Sequence, residues 1–137
     1  MAGVPFAAKS FCAFAASLTE RWPHDSAAVR TTMSRAYYGA LIEARNARGL
    51  GTRVPGGHQR VIDEYDALGT REGRQIARDL ETLRGFRERA DYEPNTPCEP
   101  RQAFQATQHA NKVLLALGIQ PEPDRPKLVP KAPPSAA

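Results

Sequence analysis

Apolar side chains recur every three or four positions along most of this chain, in five stretches separated by proline, glycine and helix-capping residues. Residues three and four apart lie on one face of an α-helix, so this period is typical of amphipathic helices. No stretch shows the β-branched alternation of a strand. We therefore expect an all-α, up-and-down bundle of four to five helices. The predicted helices cover residues 5–22, 26–48, 58–68, 71–92 and 100–117.

Local signals fix several helix ends. Pro23 ends the first helix, because proline disfavours helix in the residue before it and has no N–H to donate. Asp25 or Ser26 can cap the second helix by accepting from its first unpaired N–H groups, and Thr70 can cap the fourth in the same way. Pro100 suits the first turn of the fifth helix.

The chain has 137 residues, enough for one domain, which we place at residues 1–118. Residues 119–137 contain six of the twelve prolines and almost no large apolar side chains, so we predict a disordered, proline-rich tail. Its Pro-x-x-Pro spacings also resemble ligands of proline-binding domains. A plain solubilising tail and a partner-binding segment are the two interpretations.

Composition narrows the class of protein. No run approaches the ~20 apolar residues that span a bilayer, and no basic segment precedes an apolar run at the N-terminus. We expect a cytoplasmic protein with no membrane partner and with reduced thiols at Cys12 and Cys98. The cysteine spacing predicts no metal site, and we expect no cofactor. The net charge of +4 permits a polyanionic partner without requiring one.

The second helix has apolar residues on two sides. One side is a stripe of small residues, and Tyr38 and Ile42 project from the other. Such a helix is either central in a bundle or covered by a second subunit. The small stripe consists of Ala36, Ala40, Ala44 and Ala47.

The fourth helix contains an arginine in its apolar stripe. Arg87 falls on the same side as four apolar residues, Ile76, Leu80, Leu83 and Ala90. Because an unpaired buried arginine is costly, Arg87 must meet Asp91 one turn on, a water-filled cleft or a ligand.

Two segments resemble HEPN domains. MSRAYYGALIEARNARG (Met33–Gly49) is similar to the second helix of that family, which often contains Ser-Arg-Ala-Tyr-Tyr-x-Ala. IARDLETLRGFRERADYEP (Ile76–Pro94) is similar to a later family helix that ends, in one large branch, in Arg-x-x-Ala-Asp-Tyr. The resemblance covers roughly residues 6–118.

The resemblance implies a helical bundle that usually forms a homodimer. Many members of the family are metal-independent ribonucleases of toxin–antitoxin, phage-defence or CRISPR systems. Others are non-catalytic binding proteins, often encoded beside a nucleotidyltransferase. In the nucleases an arginine is followed, after four to six intervening residues, by a histidine on the same helix.

This chain lacks that histidine. The corresponding positions after Arg84 hold Arg, Ala and Asp, and those after Arg87 hold Tyr, Glu and Pro. The histidines of the chain lie outside this helix, and we expect them to be structural or solvated. They are His24, His58 and His109.

The remaining residues suit binding better than cleavage. Arg84 and Arg87 can hold a phosphate bidentately. Asp91, whose pKa is near 4 before an arginine lowers it, and Tyr92, near 10, are poor bases at neutral pH. We predict a site of Arg84, Arg87, Asp91 and Tyr92, with Arg35 as a contributor.

The leading hypothesis is thus a non-catalytic member that binds RNA or a protein partner, such as a companion nucleotidyltransferase, in a toxin–antitoxin or phage-defence setting. One alternative is a metal-independent endoribonuclease whose atypical catalytic residues are Arg87, Asp91 and Tyr92. The other is a structural adaptor that uses its proline-rich tail.

Overall fold

Five helices account for most of the residues described by a computed structural model, which are 6–51 and 57–120. These residues contain no strand, so the predicted all-α bundle is confirmed. None of the helices described combines the length and apolar composition that a bilayer crossing requires. The helices are α1 (Lys9–Arg21), α2 (Ser26–Ala47), α3 (Gly57–Asp66), α4 (Arg71–Tyr92) and α5 (Pro100–Ala116).

Side-chain caps begin three of the helices. Asp25, rather than Ser26, caps α2, and its Oδ1 accepts a hydrogen bond of 2.8 Å from Ala28 N. Thr70 Oγ1 accepts from Gly73 N at 3.0 Å at the start of α4. At the start of α5 the Gln102 side chain accepts from the backbone N of Glu99 at 2.8 Å. Each cap satisfies a backbone group that has no partner within its helix.

Two predicted ends were wrong by a few residues. The first helix begins at Lys9 and not at residue 5, because Ala8 offers no side-chain cap and the preceding turn is closed by i→i−3 bonds. Residues 1–5 lie outside the described part of the chain. The third helix ends at Asp66 and not at residue 68, since bonds of the same tight kind lead into Gly69, whose φ is +69°. A positive φ is readily adopted only by glycine.

α2 is the central helix of the bundle, as one of the two interpretations of its apolar sides predicts, and coverage by a second subunit stays a prediction. It contacts each of the other four helices. Of the predicted alanine stripe, Ala36, Ala40 and Ala44 are fully buried, whereas Ala47, the last residue of the helix, is exposed. Tyr38 and Ile42 on the other side are half-buried. The small side chains allow close approach, and the main core cluster forms around them.

Helices α1 and α2 approach each other closely at Gly39. A Cβ atom placed on Gly39 would lie 2.6 Å from Cys12 Sγ and 3.1 Å from the carbonyl oxygen of Ala8. Gly39→Ala is therefore expected to lower the free energy of unfolding by about 1–2 kcal/mol, despite the higher helix propensity of alanine. Urea titration measures the change. Gly85→Ala is the matched control, because that position on α4 has nothing within 4 Å and should gain up to about 1 kcal/mol. Equal effects at the two positions would contradict the prediction.

The described chain remains on the bundle beyond α5. Ile119 packs against the core cluster, and Lys9 Nζ donates to the carbonyl oxygen of Gln120 at 3.2 Å. Of the predicted tail, residues 121–137 lie outside the described part. The disordered-tail prediction for them therefore stays a prediction.

Candidate functional site

Arg87 lies between two tyrosines rather than in bulk solvent. Its side chain is 15% exposed. Nη2 donates to the hydroxyl of Tyr38 on α2 at 2.7 Å and to that of Tyr92, the last residue of α4, at 2.8 Å. The guanidinium carbon is 5.3 Å from the Tyr38 ring centroid and 4.8 Å from that of Tyr92, within cation–π range. The arginine of the apolar stripe is thus held by aromatic side chains from two helices.

Asp91 meets Arg87 without fully pairing with it. Asp91 Oδ2 is 3.2 Å from Arg87 Nε and also accepts from Ser34 Oγ at 3.2 Å. The Nε–H does not point along the line to the carboxylate, so this buried nitrogen makes no hydrogen bond. Burial lowers the pKa of Arg87, but the oxygens of Tyr38, Tyr92 and Asp91 raise it by more, and the group stays charged. The site therefore contains a charged arginine with unused donor capacity.

Arg84, the second predicted arginine of α4, lies one turn before Arg87. Its Nη1 donates to Gln59 Oε1 on α3 at 2.8 Å, and its Nε lies 3.5 Å from Glu88 Oε1. Glu88 is half exposed, so its charge is screened by water. Arg84 is thus directed toward α3.

Arg35 reaches the same group from α2. Its guanidinium carbon is 5.1 Å from the Tyr38 ring centroid and 5.0 Å from that of Phe11. Tyr38 therefore contacts two guanidinium groups, those of Arg35 and Arg87. The five residues predicted from sequence are connected, directly or through Tyr38 and α3.

His58 is a member of the site that the sequence analysis missed. It is the second residue of α3, and its Nδ1 lies 2.8 Å from Tyr37 Oη. Its ring also packs edge to face against those of Tyr37 and Tyr38, with centroids 5.5 and 5.9 Å away. Burial, followed by the charges of three arginines, lowers the pKa of His58 below its usual 6.5, so it is neutral at pH 7. Those arginines are Arg87, Arg84 and Arg45.

The Tyr37 contact decides which nitrogen of His58 bears hydrogen. Tyr37 is fully buried, and burial raises its pKa well above the usual value, so its hydroxyl keeps the proton. A buried hydroxyl needs an acceptor, and His58 Nδ1 is its hydrogen-bond partner. The neutral imidazole therefore accepts at Nδ1 and presents an N–H at Nε2. In this state His58 offers the site an N–H donor, as the arginines do, and has no nitrogen free to accept a proton.

The net result is a surplus of positive charge and N–H donors. Helices α2 and α4 supply the arginines, whereas the nearby carboxylates are Asp91 and the half-exposed Glu88. We call this group the arginine–tyrosine cluster. It consists of Arg35, Arg45, Arg84, Arg87, Tyr38, Tyr92 and His58. Donors in excess of acceptors at a partly open surface are suited to binding an anion.

The C-terminal end of α4, which bears Asp91 and Tyr92, is fixed by Arg30 of α2. Arg30 Nη1 donates to the carbonyl oxygens of Arg89, Ala90 and Glu93 at 3.0–3.2 Å. Its Nη2 donates to those of Pro94 and Thr96 at 3.4 and 2.6 Å. The last carbonyls of a helix have no partner within it, and a cation there also complements the helix dipole.

No protein-family model matches the chain, and no curated protein or solved structure is significantly similar to it.

Proposed function

We propose that the arginine–tyrosine cluster binds the phosphate backbone of single-stranded RNA without cleaving it. The observation that supports this most directly is that the guanidinium groups of Arg35 and Arg87 both lie against the ring of Tyr38. Burial, and then the positive charges of Arg87, Arg84 and Arg45, lowers the pKa of the neighbouring His58, which is consistent with a local excess of positive charge. A phosphodiester is the common biological group that accepts several N–H donors and carries a permanent negative charge.

Tyr92 favours RNA over an isolated phosphate ion. It is 64% exposed, and its hydroxyl is fixed by Arg87. Aromatic rings at the edge of a basic site commonly stack on unpaired bases. An exposed, oriented tyrosine beside a buried arginine is therefore arranged as a stacking platform.

His58 is the side chain most suited to proton transfer, but it is already hydrogen-bonded to Tyr37. Cleavage through the 2′-hydroxyl needs a base that titrates near neutral pH. The acceptor nitrogen of His58 is occupied by the Tyr37 hydroxyl, and Asp91 accepts from Ser34 beside the positive charge of Arg87. Binding without catalysis is thus the function that these contacts favour.

The alternative is a metal-independent endoribonuclease, and the proximity of an imidazole to Arg84 and Arg87 is the observation in its favour. If His58 exchanged its hydrogen-bond role with Tyr37, Nε2 would become an acceptor. This alternative requires His58 for cutting, in addition to the Asp91 and Tyr92 roles considered from the sequence.

The family assignment also belongs to this proposal. A HEPN-like bundle, acting as a homodimer in the cytoplasm and encoded with a nucleotidyltransferase or another toxin–antitoxin or defence component, is consistent with five helices and with the two motif segments. The order of those segments along α2 and α4 supports it.

The test combines binding and cleavage on the full chain. Fluorescence anisotropy with a labelled single-stranded RNA, in EDTA and over a range of salt concentrations, should show binding that weakens steeply as salt rises. Gel electrophoresis of the same samples should show intact RNA. No binding at low salt would overturn the proposal, and cleavage lost in His58→Gln would establish the endoribonuclease instead. Deleting residues 121–137 should leave RNA affinity unchanged, whereas a loss would support the tail adaptor.

The pH dependence of RNA affinity follows from His58. Its pKa is lowered in the unbound protein, and a bound anion favours the protonated form, so binding raises that pKa. RNA affinity should therefore rise as the pH falls from 7.5 toward 5.5. The total rise is limited to about tenfold for each unit by which the bound phosphate raises the pKa of His58. His58→Gln should abolish this trend, and the control His24→Gln, at an exposed position, should keep it. A flat profile for the unaltered chain would contradict the prediction.

A further inference from the structure

A cavity lies between α2 and α3, directly beside the arginine–tyrosine cluster. Its volume is about 190 Å³. Pockets for drug-sized ligands are usually about 300–1,000 Å³, so this one has room for a single small ring system and not for a complete cofactor. Its side-chain lining consists of Tyr38, Leu41, Ile42, Arg45, His58 and Val61.

The walls combine apolar surface with two donors. Leu41, Ile42 and Val61 supply the apolar part. Arg45 Nε is buried and has no hydrogen-bond partner within the described chain, and His58 presents an N–H. An unpaired buried donor is costly unless a ligand supplies an acceptor. A planar heterocycle with carbonyl or ring-nitrogen acceptors matches this combination.

The cavity shares three of its lining residues, Tyr38, Arg45 and His58, with the cluster. Tyr38 lines the cavity and accepts the 2.7 Å hydrogen bond from Arg87, and His58 lines it beside Tyr37. A ligand with a ring in the cavity and an anionic group near Arg87 would thus contact one continuous surface. A nucleotide unit has that construction.

We propose that the cavity binds one nucleobase of the RNA strand whose phosphate is held at Arg87. This inference rests on the proposed function and adds a base subsite to it. A base can enter a cavity only when it is unpaired and unstacked, so the site selects single strands over duplexes.

The test compares a single-stranded RNA hexamer with an abasic hexamer of the same phosphate count, by fluorescence anisotropy with the full chain. The base-containing hexamer should bind about tenfold more tightly, because the abasic hexamer has no base to bury in the cavity. Ile42→Trp, which fills the cavity from a half-buried position, should remove this difference and leave abasic affinity unchanged. Leu115→Trp is the matched control, at an exposed site on α5, and should change neither affinity.

Other results would overturn the base subsite. Equal binding of the two hexamers to the unaltered chain overturns the base subsite and leaves phosphate binding standing, whereas no binding of either overturns both. A difference that persists in folded Ile42→Trp but disappears in Tyr92→Ala assigns the base to the exposed tyrosine and also overturns the inference. Arg45→Met gives a second variant that retains the cavity and should reduce the difference between the hexamers.

Discussion

Arg87→Gln is expected to weaken single-stranded RNA binding by about ten- to a hundredfold. A charge-assisted hydrogen bond contributes about 1.5–3 kcal/mol, and each 1.4 kcal/mol is a factor of ten in affinity. The free energy of unfolding should fall by no more than about 1–2 kcal/mol, because glutamine loses the contacts of Arg87 with Tyr38 and Tyr92 but also removes a largely buried charge. Anisotropy titration measures the affinity, and thermal unfolding monitored by circular dichroism measures the stability.

Arg78→Gln is the matched control for Arg87→Gln. Arg78 is exposed on the same helix, and its replacement removes the same net charge from outside the cluster. It should lower affinity by no more than a few fold through long-range electrostatics. Arg87→Lys should fall between the two, since it keeps the charge but loses the fork that reaches Tyr38 and Tyr92. Similar losses in the Arg78 and Arg87 glutamine variants would show that binding is non-specific and would overturn the site.

The elements that could be predicted from the sequence are those whose signals are local. The bounds of α4 match the prediction because Thr70 caps its first turn and the chain turns to proline soon after its last residue. The start of α1 could not be predicted, because no side chain marks it. The position of Arg87 on the buried face likewise follows from the helical period alone.

The partners of Arg87 were only partly predictable. Asp91 lies one helical turn away, so its contact follows from spacing, although the poor alignment of Nε–H does not. Tyr38 and His58 reach the cluster only because α2 and α3 pack beside α4, and this packing has no counterpart in sequence spacing. α4 itself contains no histidine, and the imidazole of the cluster belongs to α3.

The position of this imidazole on α3 also determines which of its two nitrogens is free. His58 is placed by a hydrogen bond from a buried phenol that takes its acceptor nitrogen. A histidine on α4 would not be placed beside that phenol by its position in the sequence. The contrast between binding and cleavage thus depends on the Tyr37–His58 contact more than on the arginines.

Arg30 is the position where we expect the largest loss of stability. Its side chain donates to five carbonyl oxygens at and beyond the end of α4. Three of these oxygens also accept from another group, those of Arg89 and Glu93 from backbone N–H groups and that of Thr96 from Cys98 Sγ at 3.9 Å. Nothing in the sequence distinguishes it from the other arginines of α2, since its acceptors lie 59 to 66 residues further along the chain. Its contribution comes entirely from tertiary structure.

Arg30→Met is accordingly expected to lower the free energy of unfolding by about 3 kcal/mol, because methionine keeps the aliphatic stem but removes the charge-assisted hydrogen bonds to these carbonyls. The midpoint of thermal unfolding should fall by roughly 10 °C for a domain of this size. Circular dichroism and urea titration measure both quantities, with Arg78→Met as the control at an exposed position of α4. At temperatures where the variant is still folded, its RNA affinity should also be lower, since Asp91 and Tyr92 lie on the segment that Arg30 fixes. A midpoint within about 2 °C of the control would show that water replaces the guanidinium at these carbonyls without loss.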